Sequence, residues 1–193
     1  MSPLRTACAF SLALLALAGC ASLRPVTPRE LLDERNGDML WVASTPLVFA
    51  RDRSDVAAFA RDYVTLVGVE VDRAGHYEDY LLAYRWSTVD PRMLPRPEAK
   101  SSTLRILAEG RRLELTALES QPETLAGRSE LGAPAVTQYV TRVFRVDGET
   151  LRFLATSRKL SVQLPQEPLD TPFALWKDGR AALRELATRA TAP

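Results

Sequence analysis

The chain has 193 residues, 46% of them hydrophobic, and its 25 basic and 24 acidic side chains give a formal net charge of +1. That length is enough for one domain with a proper hydrophobic core and short for two. The balanced charge lacks the basic surface of nucleic-acid-binding proteins, so we expect no nucleic-acid partner.

The first 19 residues have the composition of an export signal. Arg5 is their only charged residue, and residues 6–19 are apolar apart from Thr6 and Ser11. At about 1.5 Å per residue such a helix reaches only some 20 Å, which is short of a bilayer core of about 30 Å. A basic start, a short apolar stretch and small residues at its end are typical of a cleaved signal.

This segment ends in Leu17-Ala18-Gly19-Cys20, which resembles the lipobox of bacterial lipoproteins. The resemblance implies diacylglyceryl transfer to the Cys20 thiol, cleavage before Cys20 and acylation of the new amino terminus. It divides the chain into a signal peptide (1–19), a lipidated cysteine with its tether (20–29) and a single β-rich globular domain (30–193). The alternative is an ordinary secretory signal with a chance cysteine, which would leave a free thiol in an oxidising compartment.

Lipidation at Cys20 also explains the cysteine content. Cys8 lies within the signal, so the mature chain keeps one cysteine, already in a thioether. The membrane is then a partner through the acyl chains on Cys20, each of which contributes about 0.8 kcal/mol per buried methylene. By the family's sorting rule, Ala21 and Ser22 imply the periplasmic face of the outer membrane if the source is Gram-negative.

The predicted elements begin with a short helix. Thr27-Pro28-Arg29-Glu30 has the spacing of a capping box with proline at the first helical position, and Asn36-Gly37 would close the helix after Arg35. From Met39 the pattern becomes β. Residues 39–50 predict one or two strands, with Pro46 excluded from a central position in a sheet.

The middle of the chain predicts antiparallel hairpins. Residues 63–71 are apolar on both faces at first, which suits a strand buried on both sides, and a turn then leads into residues 77–89. Turn signals at Glu109-Gly110 and Asp147-Gly148 predict a second and a third hairpin. A last short strand covers residues 159–164. Roughly eight strands predict a mainly β fold, an antiparallel β-sandwich or small barrel, with a short N-terminal helix and a C-terminal helix.

The C-terminal helix is predicted from a one-sided apolar pattern. Thr171-Pro172 and Asp178 compete as its N-cap, and we expect it to cover an open side or edge of the sheet. Its apolar positions lie on one face if the helix runs through Gly179: Phe173, Trp176, Leu183, Leu186 and Ala190. The stretches 90–102 and 120–134 are long polar loops, of a length that is either functional or mobile.

No motif points to catalysis, a metal or a cofactor. His76 lies in a predicted turn near three carboxylates but has no second nitrogen or sulfur ligand, so a solvated turn is favoured over a metal site. The run 127–132 reads G-x-S-x-x-G, which lacks the spacing of a nucleophile elbow. Arg142 and Arg152 would share a face of the third hairpin as an anion site, or simply form a solvated surface. No spacing singles out a carboxylate pair of the glycosidase kind.

The remaining feature is an aromatic strand face made by Tyr80, Tyr84 and Trp86. If this face is ordinary core, the first hypothesis is favoured, which is a non-enzymatic lipid-anchored envelope protein that presents a domain to a protein partner. As the wall of an apolar cavity it favours the alternative, a module that binds a lipid or acyl chain in the periplasm. An envelope hydrolase is the weakest reading.

Overall fold

The computed structural model describes residues 26–89, 102–165 and 171–189. Within these ranges the chain forms one sheet of ten strands and two α-helices. The strands are β1 (Arg29–Leu32), β2 (Met39–Val42), β3 (Leu47–Asp52), β4 (Arg61–Arg73), β5 (His76–Ser87), β6 (Thr103–Ala108), β7 (Arg111–Thr116), β8 (Val140–Val146), β9 (Leu160–Gln163) and β10 (Phe173–Lys177). The helices are α1 (Gly148–Thr156) and α2 (Arg180–Arg189).

The long strand β4 organises the sheet, because it pairs with three other strands. One edge of β4 pairs along its whole length with β5, which in turn pairs with β8. The other edge pairs first with β3 and then with β2, all antiparallel. The sheet therefore forks: one branch ends at β1 beyond β2, and the other continues from β3 through β10, β9 and β6 to β7.

The sheet is strongly curved. Leu118, two residues after β7, donates its backbone N–H to the Val143 carbonyl of β8 at 2.8 Å. In a flat sheet, β7 and β8 would be about 34 Å apart, since seven strand spacings of about 4.8 Å separate them. The sheet therefore curls into an open barrel. A mainly antiparallel β fold with a C-terminal helix is confirmed.

Each face of β4 packs on a different layer. Val64, Leu66 and Gly68 belong to the inner face, the face of the sheet that packs against α1 and α2. Val67 and its neighbours at alternate positions belong to the outer face, which is covered by Leu125 from the segment between β7 and β8. The prediction that this strand is buried on both sides is confirmed, because both layers exclude water from it.

The predicted N-terminal helix is wrong. Residues 29–32 form strand β1, which pairs with β2 from Arg29 opposite Val42 to Leu32 opposite Met39. A turn follows, in which Gly37 has a φ of +77°. Backbone pairing with a neighbouring strand satisfies more hydrogen-bonding groups than one isolated helical turn, so the capping-box signal is overridden.

The predicted third hairpin is also wrong. Asp147 is the N-cap of α1 instead of a turn residue, and its Oδ1 accepts the backbone N–H of Thr150 at 2.7 Å. Leu151, Leu154 and Ala155 are buried at helical spacing. The Asp-Gly pair serves either structure, and burial of this apolar stripe selects the helix.

The C-terminal helix exists but starts later than predicted. Residues 173–177 form strand β10 between β3 and β9, so Phe173 and Trp176 are not helical. Of the two predicted N-cap signals, Asp178 is the one that lies at the start of α2, where its Oδ1 accepts the N–H of Arg180 at 2.9 Å. Leu183 and Leu186 are buried as predicted, whereas Ala190 lies outside the described residues.

Candidate functional site

The proposed lipid anchor lies outside the described part of the chain, which begins at Val26. Residues 1–19, Cys20 and most of the tether therefore stay sequence predictions. Among the residues that the structure describes, no helix is both long and apolar enough to cross a bilayer.

His76 is the first residue of β5 and is exposed in the β4–β5 turn. Within that turn the Asp72 Oδ1 accepts the N–H of Gly75 at 2.7 Å, so this carboxylate stabilises the turn itself. Across residues 26–89, 102–165 and 171–189, no group of three His, Cys, Asp or Glu side chains is placed to hold a metal ion.

The aromatic face of β5 forms part of a packed core. Tyr80, Leu82 and Tyr84 are at most 3% exposed and pack against the segment between β7 and β8, which contributes Leu125 and Leu131. The Tyr84 hydroxyl donates to the Leu131 carbonyl at 3.4 Å. The loop predicted as polar at 120–134 is therefore an ordered cover on the outer face.

Trp86 closes the same row of side chains by a different contact. Its ring stacks on Tyr63 with centroids 4.0 Å apart and planes 9° apart. Its Nε1 donates to the Thr65 hydroxyl at 3.1 Å. Both the apolar surface and the polar atom of this indole are thus used within the fold.

Buried ionic contacts hold this cover in place. Asp33, with its side chain 1% exposed, binds Arg35 and also Arg128 at 2.6 Å, and these partners, Arg35 first, hold its pKa at about 2. Asp38 accepts the Thr124 hydroxyl at 2.8 Å. Asp33 and Asp38 flank the turn after β1, and Thr124 and Arg128 lie in the cover.

The other sequence candidates are not brought together. Ser129 begins a 3₁₀ turn whose Leu131 is fully buried, so the G-x-S-x-x-G run is part of the cover. Arg142 lies on β8 and Arg152 on the exposed side of α1, so these two side chains do not form a shared strand surface.

The structure instead reveals a carboxylate pair that the sequence reading missed. Glu70 of β4 and Asp79 of β5 are cross-strand partners on the inner face. Glu70 is 1% exposed, and its Oε1 accepts the Arg189 Nε of α2 at 3.1 Å. The signal was present, because a hairpin turn at Ala74-Gly75 places Glu70 opposite Asp79.

Each carboxylate of this pair has an unsatisfied polar atom, and so does the neighbouring Trp41. Glu70 Oε2, Asp79 Oδ1 and Trp41 Nε1 are buried without a hydrogen-bond partner in the part of the chain that the structure describes. Trp41 is the β2 partner of Glu70, and its ring lies 3.3 Å below the Arg189 guanidinium. Each such atom costs free energy unless water or a proton satisfies it.

Burial also raises both acid pKa values. Loss of solvation, with the charges of Glu70 and Asp147, raises the pKa of Asp79 to about 6. Burial raises the pKa of Glu70 as well, against the opposing charge of Arg189. The pair therefore binds a proton more readily than free carboxylates do. It offers a substrate poor access, because the Glu70 carboxylate is covered by α2.

Comparison with known proteins gives no relatives: no family model, curated protein or solved structure matches this chain.

Proposed function

We propose that this protein is a lipid-anchored cell-envelope lipoprotein whose β-rich domain is a non-enzymatic interaction or scaffold module. The acyl chains on Cys20 attach it to the membrane, at the periplasmic face of the outer membrane in a Gram-negative cell. An envelope protein is its partner. The Leu17-Ala18-Gly19-Cys20 sequence supports the anchor, and the packing of the domain supports the interaction role.

The observation that carries the proposal is that both faces of the sheet are filled. On the inner face α1 and α2 occupy the space that a ligand would need, with Leu151, Leu154 and Leu186 at most 1% exposed. On the outer face Leu131 and its segment cover the tyrosines of β5. A module for a lipid or acyl chain needs an apolar cavity, so a role carried by the surface fits this packing better.

The chemistry of the domain supports the same choice over an enzyme. Burial raises the pKa of both Glu70 and Asp79, yet Glu70 is 1% exposed beneath α2. A glycosidase needs two carboxyl groups open to a sugar chain. Here the pair faces Arg189 and Trp41 instead, which is typical of a structural ion pair.

Native mass spectrometry of the mature domain from Ala21, combined with crosslinking in intact cells, tests the proposal. We expect the mass of the polypeptide alone and a crosslinked envelope protein. The matched control is Leu131→Ala, which removes a fully buried side chain from the outer core and opens a cavity. A lipid or fatty acid that co-purifies with the wild-type domain would contradict the proposal and favour the ligand-binding alternative.

A further inference from the structure

The loop between β3 and β4 presents three consecutive apolar residues to solvent. Ala57, Ala58 and Phe59, named here the apolar tip, are all exposed, and Phe59 is 92% exposed. Single exposed apolar residues are common on soluble proteins, but a run of three without a partner is unusual unless it has a function. Phe59 also has a φ of +68°, a left-handed conformation that phenylalanine rarely adopts.

The loop holds this tip outward. Arg53 donates its backbone N–H to the Ala60 carbonyl at 2.8 Å, and its carbonyl accepts the N–H of Val56 at 3.0 Å. The Arg53 side chain binds Asp55 and the buried Asp62, at 2.9 and 3.0 Å. The tip is therefore displayed by a hydrogen-bonded turn.

Charge near the tip is balanced. The exposed Asp52 is paired with Arg61 at 2.7 Å, and Asp55 is paired with Arg53. Neither carboxylate therefore presents an uncompensated negative charge to an anionic surface. Arg61 also lies over the ring of Trp176, 4.3 Å from its centroid, and Trp176 is 58% exposed.

This cation–π pair of Arg61 and Trp176 lies along the sheet from the tip. Trp176 follows Leu175, and Leu175 pairs with Phe49 of β3. Phe49 lies three residues, about 10 Å, from Asp52, which is the residue of β3 that pairs with Arg61. Tryptophan and arginine combine an apolar body with a polar end, which suits the headgroup region of a bilayer. A membrane interface favours this order of side chains, with the phenylalanine in the apolar layer and the tryptophan–arginine pair nearer the headgroups.

The direction of β1 lets an anchor at Cys20 reach the same end of the sheet. β1 runs parallel to β4, because both pair antiparallel with β2, and Arg29 lies level with Val69. The chain before Arg29 therefore enters from the end of β4 that carries the tip. Eight residues of β4 separate Val69 from Arg61, about 26 Å, and the nine residues from Cys20 to Arg29 span at most about 30 Å.

We propose that the apolar tip is a membrane-contact element that inserts Phe59 into the bilayer holding the acyl chains of Cys20. This inference rests on the proposed lipid anchor. The tip orients the domain, with the β3–β4 loop toward the lipid and the β4–β5 turn at His76 away from it. A protein or a second copy of this chain is the competing occupant, and the experiment distinguishes it from lipid.

Environment-sensitive labelling of the lipidated protein tests the orientation. Phe59→Cys introduces the only free thiol of the mature chain, since Cys20 is in a thioether and Cys8 leaves with the signal. The labelled protein is placed in phosphatidylethanolamine–phosphatidylglycerol vesicles, with and without nitroxide-bearing lipids. Ala58→Cys is a second tip site, and His76→Cys is the matched control at the opposite end of β4.

We expect a blue-shifted emission that nitroxide lipids quench for labels at 59 and 58, and a water-like, unquenched emission at 76. Equal water-like emission at all three sites on vesicle-bound protein would overturn the proposal. A blue shift without quenching by lipid would also overturn it, because the tip would then be buried in protein. If mass spectrometry found no acyl chains on the peptide that begins at Cys20, the lipid anchor would be refuted instead. Failure of the anchor and failure of the tip therefore give different results.

Discussion

Gly68→Ala tests how closely α2 approaches the sheet. A Cβ on Gly68 would lie 2.6 Å from Leu183 Cδ1 and 2.9 Å from Leu186 Cδ2, closer than real Cβ contacts. Overpacking of this kind costs about 1–3 kcal/mol. The preference of a strand interior for alanine over glycine, about 0.5–1 kcal/mol, offsets only part of this, so we expect a net loss of stability.

Leu183→Ala perturbs the same contact in the opposite direction. Leu183 is 2% exposed, and truncation of such a leucine costs about 2–5 kcal/mol, a large share of a total stability of about 5–15 kcal/mol. In the double variant the methyl group on residue 68 enters the space that Leu183 leaves. We therefore expect the two losses to be less than additive, by about 1 kcal/mol within the usual coupling range of about 0.5–3 kcal/mol.

Thermal and urea unfolding of the chain from Ala21 measure this cycle. For a domain of this size, 1 kcal/mol corresponds to a midpoint shift of about 2–4 °C. Leu32→Ala is the control, because Leu32 is 55% exposed and its truncation should stay within about 0.5 kcal/mol. Strict additivity, or an unchanged midpoint for Leu183→Ala, would refute the packing of α2 against Gly68.

The remaining predictions concern the anchor, the lone histidine and the acid pair. Cys20→Ser should release the protein from membrane fractions or leave an uncleaved precursor, and a variant that matured and stayed with membranes would contradict lipidation. His76→Ala should change the free energy of unfolding by under about 0.5 kcal/mol, and bound metal that disappears with the mutation would overturn the solvated-turn interpretation. The folded-state pKa of Asp79 is raised to about 6 from 3.8, so the folded protein binds more protons between these values and loses stability as the pH rises through them. Asp79→Asn should therefore stabilise the protein at pH 7 and make little difference below about pH 4. If Asp79→Asn gave no increase in the free energy of unfolding at pH 7, the buried Asp79 carboxylate would not be destabilising the folded protein.

The local hairpins were predicted well because their information is contiguous in the chain. A turn at Ala74-Gly75 and alternating apolar residues on either side were enough to predict the β4–β5 pair. The β6–β7 pair followed from Glu109-Gly110 in the same way. Register in such pairs depends on the turn and on the two adjoining strands alone, so no distant residue has to be known.

Motifs that are compatible with two kinds of secondary structure could not be assigned from the sequence alone. Thr27-Pro28 is a helix start by its residues, but β2 was available to pair with the chain that follows it. Asp147-Gly148 fits a turn and an N-cap equally well. The choice came from burial of Leu151 and Leu154 against the sheet, and those partners are remote in sequence.

The Glu70–Asp79 pair was likewise only partly predictable from the sequence. The hairpin turn alone places Glu70 opposite Asp79, but it does not say that α2 covers them or that Arg189 reaches Glu70 across 119 positions of sequence. Burial raises their pKa values, and burial is a property of the assembled fold. Sequence reasoning therefore reached the pairing of the two side chains and missed their chemistry.

The sequence by itself predicted the lipid anchor, which stays a prediction, and determined the mainly β class and the first two hairpins, because a processing signal and a strand pair are both encoded in neighbouring residues. Only the tertiary structure decided that the aromatic face of β5 is packed core, that α1 replaces a strand, and that β1 starts on the side of the sheet facing the apolar tip and runs away from it. These outcomes depend on which surfaces meet, and the free energy of burying apolar area does not depend on the order of residues along the chain.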